Sequence, residues 1–192
     1  MAAIDILDSK ILTLNKDVNI SGNVVDSGTA GAKILSNNNI INFNGSSTQT
    51  IGSLIGDVSN RVSQISSSNN NVVTLSQNVF VDNIVFSNTS SGAEILIGSG
   101  DELDVTGDIT ASSAVNSAIT GSAGTLDLAG TSTQTITAAL GTSGTKLNNL
   151  NINNDNVVIN NGVTSYVNNL NLTSGAIILN SGSNYEYLCI NY

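Results

Sequence analysis

The 192-residue chain has no His, no Pro, no Trp and a single Cys, and only five Lys and Arg together. Without His it lacks the commonest general base and the commonest neutral metal ligand. One Cys forms neither an internal disulfide nor a thiolate zinc site. Five basic residues against fourteen acidic ones, a formal net charge of −9, argue against a surface that tracks phosphates. Charged residues make up only 10% of the chain, which argues against charge-rich disorder. The longest apolar runs, such as Ala176-Ile177-Ile178-Leu179, fall far short of the ~20 residues of a transmembrane helix. Met1 to Lys10 has neither a basic nor a long apolar region, so no secretory signal is read there. An exported form would take its signal from a longer parent. At roughly 100–200 residues per domain, the length fits one domain or a piece of a larger protein.

What is abundant favours β structure. The apolar set is mainly Val, Ile, Leu and Ala, with many Thr and Ser, thirty Asn and eighteen Gly. Asn and Gly tolerate positive φ and tight turns. Asn, Ser and Gly are poor helix material.

A repeat organises the chain. Ile41-Asn42-Phe43-Asn44-Gly45-Ser46-Ser47-Thr48-Gln49-Thr50-Ile51 returns, position for position, as Leu126-Asp127-Leu128-Ala129-Gly130-Thr131-Ser132-Thr133-Gln134-Thr135-Ile136. The match continues at the same offset through Leu54-Ile55-Gly56 with Ala139-Leu140-Gly141, Arg61-Val62 with Lys146-Leu147, and Asn71-Val72-Val73 with Asn156-Val157-Val158. With small slips, Ser91-Gly92-Ala93-Glu94-Ile95-Leu96 falls on Ser174-Gly175-Ala176-Ile177-Ile178-Leu179. Residues 41–97 and 126–179 are read as two copies of one unit.

Within each unit apolar residues alternate with polar ones over four to six positions, as in Leu147-Asn148-Asn149-Leu150-Asn151-Ile152. That period is a half-buried strand, and Gly-Ser, Asn-Asn and Asn-Gly between runs are turns. Candidate strands fall near 11–14, 18–25, 33–35, 39–43, 48–51, 61–65, 72–75, 79–86, 94–97 and 102–105. Further ones fall near 108–110, 125–128, 133–137, 147–152, 156–159, 163–167, 169–172 and 176–179. No segment keeps a helical period, and Ala138 to Leu140 is one helical turn at most.

Many short strands fit an antiparallel sandwich or barrel, or a parallel β-helix in which coils stack. Four features favour the β-solenoid. The repeat of roughly 85 residues divides into about four coils of roughly 21 residues, within the solenoid range. Asn side chains at one position of successive coils can hydrogen-bond as ladders. Interior strands paired on both edges need every N–H, and the chain has no Pro. Aromatic residues, common in sandwich cores, are only 4%. The expected fold is therefore all-β, a parallel β-helix with an internal duplication. It spans residues 1–184, followed by an atypical tail, 185–192, that holds three of the four Tyr and Cys189. Expected core positions are Ile41, Phe43, Ile51, Ile55, Val62, Val73 and Phe86 in the first copy. In the second they are Leu126, Leu128, Ile136, Leu140, Leu147, Leu150, Ile152, Val157, Ile159, Leu170, Leu172 and Ile178.

The segment Leu126 to Ile159, LDLAGTSTQTITAALGTSGTKLNNLNINNDNVVI, resembles the repeats of rickettsial surface cell antigens, the large passengers of the outer-membrane protein A and B type. The shared pattern is a strand, a Gln-Thr-Ile element, a Gly-Thr-Ser turn, a Lys-Leu pair and Asn-rich strands. The likeness covers about residues 20–182. It implies an autotransporter passenger: a β-helix exported by a C-terminal barrel and displayed at the bacterial surface. Such passengers adhere to host cells, so a host-cell surface protein is the implied partner. The chain departs from that pattern in having no signal peptide and no translocator barrel with its aromatic girdles. With its abrupt tail, it reads as a fragment of a split passenger gene, the rival reading being an authentic short end of a domain whose tail acts as a cap. Within that reading, this chain inserts in no membrane itself.

No catalytic, cofactor or metal residues are assigned. The run Asp101-Glu102-Leu103-Asp104-Val105-Thr106-Gly107-Asp108 is carboxylate-rich but lacks the EF-hand loop order and the Gly-rich nonapeptide pattern. Its alternation puts Leu103 and Val105 inward and Glu102, Asp104 and Thr106 outward, and it reads as a solvated strand edge. Cys189 has no His to activate it. A glycosidase needs two carboxylates facing each other across a sugar, whereas Asp5, Asp8, Asp17, Asp26, Asp57 and Asp82 are scattered. The Asn-X-Ser/Thr triplets at Asn19, Asn44, Asn88 and Asn171 are expected by chance in so Asn-rich a chain. Thr48-Gln49-Thr50 and Thr133-Gln134-Thr135 recur too seldom to form a water-ordering threonine row. A non-enzymatic structural and adhesive module is the first expectation. The alternatives are a polysaccharide-binding or polysaccharide-cleaving β-helix and a remnant without function.

Overall fold

A computed structural model describes residues 4–6, 11–14, 18–26, 33–36, 39–68, 72–87, 93–113, 117–159, 161–180 and 182–191. For 4–6, 11–14, 25–26, 36, 122 and 185–191 it describes the backbone alone. The described residues contain strands and turns and no helix, and the pairings between strands are parallel. The chain is a parallel β-solenoid.

Each coil contributes strands to three faces. The first face stacks Val24–Asp26, Gln49–Ile51, Val72–Leu75, Ala93–Ile97, the start of Ser117–Leu128 and Ala139–Leu140. On the second face one inward position repeats as Ile34, Ile55, Val79, Leu103, Leu126, Leu150 and Leu170. The strands Ile11–Leu14 and Asn184–Asn191 extend the backbone ladder of this face at either end. On the third face the inward position repeats as Val18, Ile41, Ile65, Ile84, Ile109, Ile136, Ile159 and Leu179. Pairing strands against their copies in neighbouring coils satisfies backbone N–H and C=O groups that would otherwise be orphaned in the stack. Aliphatic residues in these columns make one continuous core, with Ile34, Ile55, Val79, Leu103, Leu126 and Leu150 fully buried. Each such side chain contributes roughly 1.5–3 kcal/mol of burial. The aliphatic composition is thereby explained, since a narrow coil interior has room for Ile, Val and Leu.

The expected strands are present, except that 18–25 divides at a corner into Val18–Ile20 on the third face and Val24–Asp26 on the first. The expected strands 163–167 and 169–172 are one strand, Thr164–Ser174. There are also five additions. Ile4–Ile6, Leu54–Ile55 and residues 117–124 of Ser117–Leu128 are also strand. Ala139–Leu140, read as a helical turn, is a two-residue strand paired with Ala118–Ile119. Asn184–Asn191, which lies in the segment read as a tail from its second residue on, pairs with Thr164–Asn171 as another rung of the second face. The expected core positions are buried except two. Leu172 is partly buried and packs against the core. Ile178 is 47% exposed and lies beside Val158; Leu179 is equally exposed although it takes the register of the inward Ile159, because this strand is the last described rung of the third face.

The coil length differs from the expected four coils per repeat. The step from Ile65 to Ile84 is short and the step from Ile109 to Ile136 is long, although both join successive rungs of the third face. Ile41 reaches Ile109 in three coils, through Ile65 and Ile84. Leu126 follows on the second face of the next coil. The repeat therefore spans three coils and two faces. The second copy sits on the first turned by one face. Ile41–Phe43 is on the third face and Leu126–Leu128 on the second. Gln49–Ile51 is on the first face and Gln134–Ile136 on the third.

Despite that rotation, residues one repeat apart keep the same local roles. Gly56 and Gly141 both hold left-handed backbone, φ 69° and 74°. Each opens a short loop, closed by Asp57 N–H to Asn60 C=O (3.2 Å) in one copy and by Thr142 N–H to Thr145 C=O (2.9 Å) in the other. The equivalence also extends further back than the sequence reading placed it. Val18-Asn19-Ile20-Ser21-Gly22-Asn23-Val24 and Leu103-Asp104-Val105-Thr106-Gly107-Asp108-Ile109 make matching strands and corners.

Candidate functional site

The outward side of the second face carries two polar columns. One runs through Glu102, Thr125, Asn149 and Asn169, where Asn149 Nδ2 donates to Thr125 Oγ1 (3.2 Å) and Asn169 Nδ2 donates to Asn149 Oδ1 (3.1 Å). The other runs through Phe80, Asp104, Asp127, Asn151 and Asn171, where Asn171 Nδ2 donates to Asn151 Oδ1 (2.7 Å). These amide ladders fix side chains that would otherwise be mobile on a solvated sheet. The face presents amides at its later coils and carboxyls at its earlier ones.

The carboxyl end is more enclosed than the sequence suggests. Leu103 and Val105 are buried inward as expected. Glu102–Val105, however, is paired on both sides, with Val79–Val81 and Thr125–Leu128, and Asp104 is only 8% exposed. The reading of this run as a solvated edge is corrected accordingly. Arg61 reaches across from an earlier coil. Its Nη2 meets Asp104 Oδ2 at 2.7 Å, and its Nη1 donates to the carbonyls of Asp104 (3.2 Å) and Val81 (3.3 Å). Its guanidinium carbon lies 5.7 Å from the Phe80 ring centroid, a cation–π contact. Asp127 stacks directly over Asp104. Burial, then the charges of Asp104 and Glu102, push its carboxyl up to about 6, against a smaller lowering by Arg61. Asp104 Oδ1 and Asp127 Oδ1 are buried and have no hydrogen-bond partner.

The positions one repeat earlier carry neutral side chains. An open groove of about 350 Å³ on the third face is lined by Val18, Asn19, Ile40, Asn42, Gln64, Ser66 and Ser87. One repeat after Asn19, Asn42, Gln64 and Ser66 stand Asp104, Asp127, Asn149 and Asn151. Asn42 Nδ2 donates to Asn19 Oδ1 at 2.8 Å, and Gln64 Nε2 donates to Ser66 Oγ at 2.7 Å.

The other residues weighed from the sequence fall as follows. Gln49 and Gln134 face inward, 1% and 0% exposed, and belong to no surface row. Gln49 accepts from Gly45 N (2.9 Å) and donates to the carbonyls of Ile20 (2.9 Å) and Gly22 (2.8 Å). Asp57 pairs with Lys33 Nζ at 2.9 Å, and that bond with those of Asn60 lowers its carboxyl to about 2. Asp82 accepts from Thr106 Oγ1 at 2.9 Å, and Asp108 Oδ1 accepts from Thr135 N at 2.8 Å. These aspartates serve turns and neighbouring coils. Asn19 and Asn171 are engaged in amide ladders, and Asn44 is also bonded. Asp8, Asp17 and Asn88 lie outside the described residues, and Asp5, Asp26 and Cys189 are described by backbone alone. Among the described residues no group of three or more Asp, Glu or Cys converges as a metal site, and no helix is long and apolar enough to cross a membrane.

No family model, curated protein or solved structure matches this chain.

Proposed function

We propose that the chain is a structural and adhesive module, a β-helical segment of the autotransporter-passenger type displayed at a bacterial surface for contact with a host-cell protein. The amide-laddered second face, Asn149, Asn151, Asn169 and Asn171 above Asp127 and Asp104, carries this reading. A rigid face with prepaired side chains loses little conformational freedom on docking, which favours contact over a broad area. The likeness of both copies to rickettsial surface antigen repeats points the same way. The test is saturable binding of purified, folded protein to cultured mammalian cells. Wild type is expected to bind, and a variant with Asn149, Asn151, Asn169 and Asn171 changed to Lys is expected to bind at least tenfold less with an unchanged circular dichroism spectrum. Equal binding by both proteins would remove the face from the proposal, and no saturable binding by folded wild type would remove adhesion.

A carbohydrate-active reading draws on the carboxyl pair. Arg61 is bound to Asp104, while burial favours the neutral form of Asp127. Such unequal surroundings separate an acid from a base in glycoside hydrolysis. New reducing ends on polysaccharides, lost in both Asp104→Asn and Asp127→Asn, would establish that activity in place of adhesion alone. A folded chain with neither binding nor turnover would fit the remnant of a split gene.

A further inference from the structure

At one position of the repeat the two copies solve the same problem with different chemistry. Asn42 lies over Asn19 and bridges to it through its amide N–H, 2.8 Å from Asn19 Oδ1. One repeat later the pair is Asp127 over Asp104, in the same parallel register. Two ionised carboxylates have no hydrogen to share, and stacked side chains on adjacent strands lie only about 5 Å apart. Asp104 Oδ1 and Asp127 Oδ1 are both buried and both without a donor; Asn42 Oδ1 shares that condition, so what the second copy lacks is the bridging N–H. The groups facing Asp127 make the shortage worse. The strand below supplies Asp104 and Glu102, the strand above supplies the uncharged Asn149 and Asn151, and among the described residues the one cation here is Arg61, already committed to Asp104 Oδ2.

We propose that Asp127 is a proton latch: as a carboxylic acid it donates to a carboxylate of the coil below, Asp104 or Glu102, in the place where the first copy uses the Asn42 amide. The coils at this face are bridged when the proton is present and repel each other when it leaves. The carboxyl pushed up to about 6 agrees with that geometry. In sign, folded protein binds more protons here than unfolded protein, whose Asp titrates near 3.9. The added stability is fully present below about pH 4 and is lost as pH rises through about 6.

The test pairs a direct titration with one substitution. Carboxyl carbon shifts of Asp127 in the intact chain, followed by NMR from pH 3 to 8, are expected to turn over near pH 6, well above those of Asp57 in the same sample. A midpoint at the ordinary Asp value would overturn the proposal. Asp127→Asn installs the first copy's solution. Its Tm is expected to exceed that of wild type at pH 7 and to lose the wild-type fall between pH 4 and 7. Retention of the full wild-type slope would overturn the latch even if the titration midpoint were high. If Asp127→Asn failed to fold, the pH slope of Tm in Asp127→Ser would be read in its place, with the same two outcomes.

Discussion

Gln49 and Gln134 stand one repeat apart and make the same three hydrogen bonds at different corners of the solenoid. Gln134 Oε1 accepts from Gly130 N (3.1 Å), and its Nε2 donates to the carbonyls of Val105 (2.9 Å) and Gly107 (2.9 Å). Gln49 repeats this with Gly45, Ile20 and Gly22. In each case the side chain enters the core and satisfies backbone groups of the preceding coil where the strand ladder breaks for a corner. Gln134 also accepts from Asn154 Nδ2 at 2.7 Å. Gln134→Leu roughly keeps the volume and removes the amide. It leaves the Gly107 carbonyl and the Gly130 N–H without that partner, at about 1–3 kcal/mol for each group, while the Val105 carbonyl keeps its bond from Ala129 N–H. Thermal or urea unfolding is expected to show a loss of at least about 2 kcal/mol, and a loss under about 1 kcal/mol would show that the corner is satisfied in another way.

The glycines of the second loop separate by conformation. Gly141 has φ 74°, and a Cβ there would collide with the Tyr166 carbonyl. Gly144 has open space around its Cβ direction and no left-handed backbone. Gly141→Ala is expected to cost more than about 2 kcal/mol, combining left-handed strain with the clash. Gly144→Ala is expected to be neutral or slightly stabilising, by up to about 1 kcal/mol through the unfolded state. Urea unfolding of the two variants measures the difference, and equal effects at the two sites would contradict the loop geometry.

Most of the fold is legible in the sequence because a solenoid writes its pleat directly as alternation. Leu126 and Leu128 point inward and Asp127 outward, as the period of two requires. The rotation of the second copy is a different matter. It follows from the sum of unequal coils, short from Ile65 to Ile84 and long from Ile109 to Ile136, and each length is set by how many residues a corner absorbs. Ala139–Leu140 is too short to show a period, and only its partner Ala118–Ile119 makes it a strand. The site was hidden for a related reason. Asp104 is covered by Arg61, which comes from an earlier coil and is therefore invisible to any local pattern. A signal was present in the repeat itself, since aligning Asn19 with Asp104 and Asn42 with Asp127 brings the two aspartates to neighbouring rungs.

Leu128 and Ile178 offer a contrast between inward and outward positions. Leu128 is fully buried between Val105 and Ile152, whereas Ile178 is 47% exposed beside Val158. Leu128→Ala is expected to cost about 2–5 kcal/mol, and Leu128→Asp to unfold the stack locally because the charge has no partner there. Ile178→Asp is expected to shift Tm little. A Leu128→Asp protein with an unchanged melting curve would refute the inward assignment.

Among the described residues Arg61 is the sole cation of the carboxyl cluster, and its removal has a pH signature. Arg61→Met keeps aliphatic cover over Phe80 and leaves Asp104, 8% exposed, with neither oxygen bonded to a cation. Breaking an enclosed ion pair of this kind costs about 3–5 kcal/mol when one charge stays behind. The loss is expected to be largest at pH 7 to 8, where the cluster carries its full negative charge. It shrinks toward pH 5, because the folded cluster, already raised at Asp127, holds protons still more tightly without Arg61 than the unfolded chain does, and stability then rises as pH falls. Adding Asp104→Asn removes the stranded charge and is expected to restore much of the loss at pH 7. Urea unfolding of the single and double variants at pH 5 and pH 7.5 measures both effects. A deficit that is the same at both pH values and is not relieved by Asp104→Asn would mean that Arg61 acts through packing on Phe80, with no electrostatic role among the carboxyls.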